Sequence, residues 1–316
     1  MHTLTRTFLA LVPLLPPVLA SPLFGINFGK GTTANGAPTP VSQSDITNNL
    51  LRPAQFSRVA YCPSSKVTSW SCGGPCQALP GVHVLTAGGN EAQVPYYFIA
   101  QDAQTQSVVV AHGGTDPYKL FSDLNDAEFK QVPPNATRFP KASGGTQVHD
   151  GFHKAQGRTA DLVLSTVRNA LASSGYKNVL VTGHSLGAAI ASLDAVMLRM
   201  ALPGDVQVGS IVFGLPRVGN QQWADLVDSL FQSFTHVTNQ QDPVPRVPPQ
   251  WLQYQHPSGE AHITAVAPSG AATVEACPGQ ENDHCADGSA LLESSIANHL
   301  GPYFSGISFG TAACLS

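Results

Sequence analysis

A serine stands at the junction of two segments with opposite backbone preferences. Asn178-Val179-Leu180-Val181-Thr182 is a short, β-branched apolar run, and Leu186 to Met200 is rich in alanine and leucine. The order is therefore strand, turn, helix, and only Gly183-His184-Ser185-Leu186-Gly187 makes the turn. Glycines two before and two after Ser185 let strand and helix approach closely, and the turn holds the serine in a strained backbone conformation with its hydroxyl exposed at the strand's carboxyl end. Ser185 is a candidate nucleophile. Leu186 follows at the helix N-terminus, where its backbone N–H points to a developing oxyanion.

The pattern also occurs at Gly306-Ile307-Ser308-Phe309-Gly310. There no helical pattern follows and no histidine lies downstream, so Ser308 reads as a strand or loop residue.

The surrounding chain predicts alternating elements. Val82 to Leu85, Pro95 to Ala100 and Ser107 to Ala111 read as successive strands. Ser42 and Asp45 resemble a capping box that opens a helix, and Pro53 breaks or restarts it. Phe152, Ala155, Thr159, Leu162, Val163, Val167, Ala170 and Leu171 recur at helical spacing and predict one long helix ending at Gly175. A further strand, Ser210 to Phe213, follows the elbow helix. Such alternation predicts an α/β fold: a mostly parallel central sheet flanked by helices, with active residues at the carboxyl ends of strands.

Residues 1–20 have one positive charge at Arg6, an apolar stretch from Phe8 to Leu19, and small residues before the end at Ala20. This is the pattern of a secretory signal cleaved after Ala20, and Pro13, Pro16 and Pro17 argue against a membrane-spanning helix. Residues 21–316 contain no low-complexity linker or internal repeat and read as one domain. Charged residues make up 11% of the chain and the net formal charge is −4, without a run of lysine or arginine, which argues against nucleic acid as a partner. An extracellular protein without stable membrane insertion is expected.

In that compartment six cysteines read as disulfides rather than zinc ligands. Cys72 with Cys76 and Cys277 with Cys285 can each close locally, which leaves Cys62 with Cys314. Asn135-Ala136-Thr137, next to Pro133 and Pro134, is a sequon for N-glycosylation on an exposed loop.

A serine nucleophile needs a histidine to take its proton and a carboxylate to orient that histidine. On sheets of this kind both follow the serine. Asp242 comes just after the apolar run Phe234 to Thr238 and before Pro243-Val244-Pro245, at a strand's carboxyl end on a rigid loop. Asp194, Asp225 and Asp228 fall on helices and read as solvated or capping. Among the later histidines His236 lies inside a strand and His284 inside the Cys277 to Cys285 loop. That leaves His299, in the polar break Ala297 to Pro302, as the best-placed base, with His256 and His262 open. A second oxyanion donor fits His112-Gly113-Gly114-Thr115, where Thr115 offers an N–H and a hydroxyl. Past Asp116-Pro117, the side chains Tyr118, Leu120, Phe121 and Leu124 are candidates for a lid over the site. His149 and His153 are four apart but lack the glutamate of a zinc motif, so they read as structural.

Taken together, these motifs resemble the fungal class 3 lipases, a group that includes triacylglycerol lipases and feruloyl esterases, over about Cys62 to Cys314. The motifs, in order, are Tyr61-Cys62, Gly113 to Thr115, Val148-His149-Asp150-Gly151-Phe152, Gly183 to Gly187, Gly214-Leu215-Pro216-Arg217-Val218-Gly219-Asn220, Asp242 to Pro245, and Asn298-His299. His112-Gly113 and Lys119-Leu120 bring the chain closer to basidiomycete members. The resemblance implies the α/β-hydrolase fold, Ser185, Asp242 and His299 as nucleophile, acid and base, Thr115 and Leu186 as the oxyanion hole, and the three disulfides above. It assigns Arg217, Asn220 and His149 structural roles. It implies an ester hydrolase acting on lipid without metal or organic cofactor. Its rivals are an esterase for feruloyl or other soluble esters on the same fold and, more remotely, a silent lipid-binding protein.

Overall fold

Valine-rich runs, which favour the pleated and doubly covered environment of a central sheet, pair here into a nine-stranded sheet. The computed structural model describes residues 35–90, 93–115, 129–142, 144–288 and 294–314. The signal segment and the lid positions Tyr118, Leu120, Phe121 and Leu124 lie outside the described residues.

The strands are β1 (Thr39–Pro40), β2 (Val82–Gly88), β3 (Tyr97–Asp102), β4 (Ser107–His112), β5 (Gln131–Val132), β6 (Val148–His149), β7 (Asn178–His184), β8 (Gln207–Phe213), β9 (Phe234–Asn239), β10 (Glu260–Val266) and β11 (Ala272–Cys277). The large sheet runs β1-β11-β10-β9-β8-β7-β4-β3-β2, and β5 pairs with β6 as a separate ribbon. From β4 through β7, β8 and β9 to β10 all pairings are parallel, with antiparallel strands at both margins. The parallel strands are buried along nearly their whole length, as helices on both faces require.

The elbow helix Leu186–Ala201 is buried continuously from Gly187 to Leu198, as an all-round apolar helix must be. It packs with Asp150–Gly157, Ala160–Ser174 and Gln221–Leu230 into one hydrophobic core. On the opposite face, helix Leu51–Val59 joins the C-terminal aromatics Tyr303, Phe304 and Phe309 in a second core.

Local signals act where they were expected. Ser42 caps the first turn by accepting from Asp45 N–H at 3.1 Å. The chain then passes through a π-helical turn, Ile46–Leu50, before the α-helix restarts with Pro53 in its first turn, where a missing N–H costs nothing. The predicted single helix from Phe152 to Leu171 is instead two, Asp150–Gly157 and Ala160–Ser174. The first ends at Gly157, while the second ends at Gly175 in the left-handed region with φ 72°. The three disulfides are Cys62–Cys314, Cys72–Cys76 and Cys277–Cys285.

Candidate active site

Ser185 occupies the turn between β7 and the elbow helix with φ 62° and ψ −130°, a conformation few side-chain-bearing residues adopt. The flanking glycines make the turn possible. A Cβ on Gly183 would collide with the Gly187 carbonyl, and one on Gly187 with the carbonyls of His112 and Gly113. Ser185 is buried, not exposed as its turn predicts, and its hydroxyl has no hydrogen-bond partner among the described residues. An unsatisfied buried hydroxyl is costly unless something later claims it, and in a strained elbow that makes Ser185 a candidate for chemistry.

The segment after β4 lies directly against the serine. A Cβ on Gly114 would stand 2.8 Å from Ser185 Cβ and 2.8 Å from the His184 carbonyl. Thr115 therefore follows at the edge of the same space. Leu186 is the first residue of the elbow helix, where a backbone N–H has no partner within the helix.

Asp242 and His299, 57 residues apart, are joined at 2.8 Å through His299 Nδ1 and Asp242 Oδ2. Asp242 is fixed by the Val244 N–H, which donates to Oδ1 at 2.8 Å, and both side chains are buried. A proton on Nδ1 leaves Nε2 as the accepting nitrogen, and Nε2 is buried without a partner among the described residues. Gly214, at φ 54°, gives the pair room: a Cβ there would lie 2.8 Å from His299 Cε1 and 3.2 Å from Asp242 Oδ2.

A chain of hydrogen bonds ties the three regions together. Gly114 N–H donates to Tyr61 Oη, Tyr61 Oη is 2.5 Å from His184 Nδ1, and His184 Nε2 is 2.8 Å from the His299 carbonyl. The carbonyl can only accept, so His184 Nε2 carries its proton and Nδ1 accepts from the phenol. Burial, reinforced by His299, holds His184 well below the usual imidazole range, and burial pushes the Tyr61 phenol upward, so both stay neutral. The His184 ring also stacks on Phe309, centroids 4.2 Å apart. Tyr61→Phe removes both hydrogen bonds of the phenol, and kcat is expected to fall about tenfold with KM unchanged. Steady-state kinetics well below the melting temperature check this; a lowered melting temperature with intact kcat assigns Tyr61 to stability alone.

The other candidates fall elsewhere. His256 Nε2 donates to the Pro245 carbonyl at 2.7 Å and His262 Nδ1 meets Thr238 Oγ1 at 2.8 Å, with burial lowering the two imidazoles to about 3 and about 4. His236 lies in β9 and Ser308 in an irregular segment before Thr311–Cys314. His149 caps the helix Asp150–Gly157, accepting at Nδ1 from the Gly151 N–H at 3.1 Å, and His153 Nε2 accepts from Asn135 N–H. Arg217 is buried against Glu281 and Asp287, and Asn220 caps Gln221–Leu230. Asp225 and Asp228 bind neighbouring polar groups such as Gln280 Nε2. Asp194, expected to be solvated or capping, is instead fully buried between His112 Nε2 and Gln156 Nε2, each at 2.8 Å. Among the described residues Glu260, Cys277 and Cys285 bring three potential metal-ligating atoms together, but the two sulfurs are bonded to each other. That leaves no thiolate for a metal.

Residues 108–251 match the family model for lipase (class 3). The secreted mono- and diacylglycerol lipase LIP1 of Malassezia globosa is 36% identical over 278 residues, which cover 88% of this chain and 87% of that protein. The secreted mono- and diacylglycerol lipase MDL3 of the same organism is 36% identical over 205 residues, and the chain spans 65% of its length and 64% of its own. Among solved structures, a lipase from Rhizopus microsporus var. chinensis superposes with a TM-score of 0.75 at 26% identity, covering 92% of this chain and 98% of that one. Lip2 lipase from Yarrowia lipolytica has the same fold, with a TM-score of 0.76 at 23% identity over 88% of this chain and 98% of that one.

Proposed function

Because this chain belongs to the class 3 lipase family, we propose that it is a secreted serine ester hydrolase that cleaves acylglycerols through an acyl-enzyme. Ser185 is the nucleophile, His299 the general base and Asp242 the acid that orients it. Ser185 Oγ attacks the ester carbonyl as its proton passes to His299 Nε2, and the Thr115 and Leu186 amides receive the oxyanion. The ester C–O bond breaks, His299 returns the proton to the departing glycerol alcohol, and water repeats the sequence on the acyl-serine to release the fatty acid.

One observation supports this reading above the others. A serine hydroxyl in a strained elbow and a histidine Nε2 are both buried and both unsatisfied, while the other imidazole nitrogen is held by a carboxylate at 2.8 Å. No hydrogen bond joins the two within this structure, and apo geometries of this kind tighten when substrate arrives.

Mono- and diacylglycerols are the proposed substrates, since relatives of similar length carry that activity in their names. The test is hydrolysis of a monoacylglycerol, a diacylglycerol, a triacylglycerol, methyl ferulate and a short soluble ester under matched conditions. Highest turnover on the partial glycerides is expected; highest turnover on methyl ferulate moves the protein to the aromatic esterases.

Residues 1–20 are the leader, cleaved after Ala20, and residues 21–316 form the mature single domain. Asn135 is exposed on a turn, as glycosylation requires.

A further inference from the structure

Aromatic side chains of this size rarely stay in water, because an indole has more apolar surface to bury than most residues. Among the described residues the exposed large hydrophobics are Leu85, Leu162 and Trp251, and only Trp251 is mostly in solvent, at 80% exposure. Its neighbour Leu252 is half-buried.

The turn beneath the indole is firmly built. Trp251 is the middle residue of a 3-10 turn, Gln250–Leu252, which closes on Gln253 in the left-handed region at φ 65°. Gln131 Nε2 donates to the Leu252 carbonyl at 3.1 Å, Gln250 Nε2 to Asp287 at 2.6 Å, and Arg217 Nη1 to the carbonyls of Arg246 and Pro248. Gln255 N–H donates to the Gly219 carbonyl at 2.9 Å. The indole is thus displayed from a held backbone rather than from a slack loop.

Two further facts say what it faces. Every residue from Val247 to Gln255 is uncharged, which suits a neutral surface and offers no attraction to an anionic one. The turn also lies on the connection that leaves the carboxyl end of β9 and carries Asp242. It is fastened through Gln131 and through Tyr254 Oη, which donates to the Phe129 carbonyl at 3.3 Å.

We propose that Trp251 is a preformed anchor for the surface of a neutral acylglycerol aggregate, entering the interface and holding the rim of the site against it. The proposal rests on the acylglycerol reading and adds to it a docking element. Tryptophan suits the task because its ring is apolar while its N–H stays satisfied at a wet boundary.

Fluorescence tests it directly, because the chain has three tryptophans. Trp223 is buried and Trp70 is half-buried edge-on to Phe98, so Trp251 has the most surface to transfer on docking, and the shift that is lost in Trp251→Gln is its own. The probe is a vesicle of dialkyl (diether) phosphatidylcholine doped with a non-hydrolysable dialkylglycerol ether. A blue shift of emission is expected for the native protein and none for Trp251→Gln. That variant is expected to partition about tenfold more weakly and to lose turnover on emulsified acylglycerol to a similar degree. Its turnover of a short soluble ester and its melting temperature stay at the native values. Equal vesicle binding by the variant, or binding that requires anionic lipid, overturns the proposal. The vesicle contains no cleavable ester, so failure of the acylglycerol reading shows separately, as a native protein that hydrolyses soluble esters and no glyceride.

Discussion

Ser185→Ala lowers kcat/KM on a partial glyceride by about 10^4- to 10^6-fold and leaves the melting temperature unchanged or slightly raised. On the proposed mechanism the loss follows from removing the atom that forms the acyl-enzyme, and the surviving activity is the residual rate a preorganised oxyanion hole gives to water. The stability result follows from burial. The hydroxyl at this position is buried with no partner, so deleting it removes an unpaired polar group and opens almost no cavity. Alanine carries the same Cβ penalty as serine at φ 62°, so the elbow strain is unchanged. Kinetics and thermal unfolding of the same preparation check both halves. A variant that is inactive because it has unfolded does not fit this account.

Removing Cys62–Cys314 by paired serine substitutions destabilises the protein by about 5 kcal/mol in the chain-entropy model, because the bond closes a loop with a sequence separation of 252. That is a large part of the stability of an ordinary domain. The local Cys72–Cys76 bond, with a separation of 4, contributes much less to the same entropy. Urea unfolding of the two double variants compares them, and equal losses contradict the entropic origin. The long bond also has a consequence for the site. Cys62 directly follows Tyr61, and the C-terminal segment it secures places Phe309 on His184 and Tyr303 Oη on the His299 carbonyl at 3.3 Å. Loosening it is expected to reduce activity before the protein unfolds.

Much of this architecture is legible in the sequence, for local reasons. The elbow is legible because a β-branched run, a glycine-bracketed serine and an alanine-rich run can satisfy their preferences in one way only. Asp242 is legible because a strand signal ends just before it and prolines stiffen the loop after it. The resemblance singles out His299 from His256 and His262, which residue spacing leaves open, and the structure gives the physical difference. His256 is bonded to the Pro245 carbonyl and His262 to the Thr238 hydroxyl, whereas His299 has one nitrogen on the Asp242 carboxylate and the other unclaimed among the described residues.

The features that stay hidden depend on pairing across long separations. Asp194 reads as an ordinary helical carboxylate, since its partners His112 and Gln156 are 82 and 38 positions away. The Tyr61–His184 bond spans 123 positions. The break between Gly157 and Ala160 is hidden for the opposite reason: apolar residues keep their helical spacing across it, so periodicity alone reports one helix. Trp251 carries no signal at all in sequence, because exposure of an apolar residue is a property of the finished surface.

The most direct measurement of the central claim is reaction with a serine-directed alkyl phosphonate, followed by peptide mapping. The account predicts one adduct per chain, on Ser185, none on Ser308 in the second glycine-bracketed motif Gly306 to Gly310, none in Ser185→Ala, and a much slower reaction in His299→Ala. An adduct on another serine, or labelling undiminished in Ser185→Ala, contradicts it.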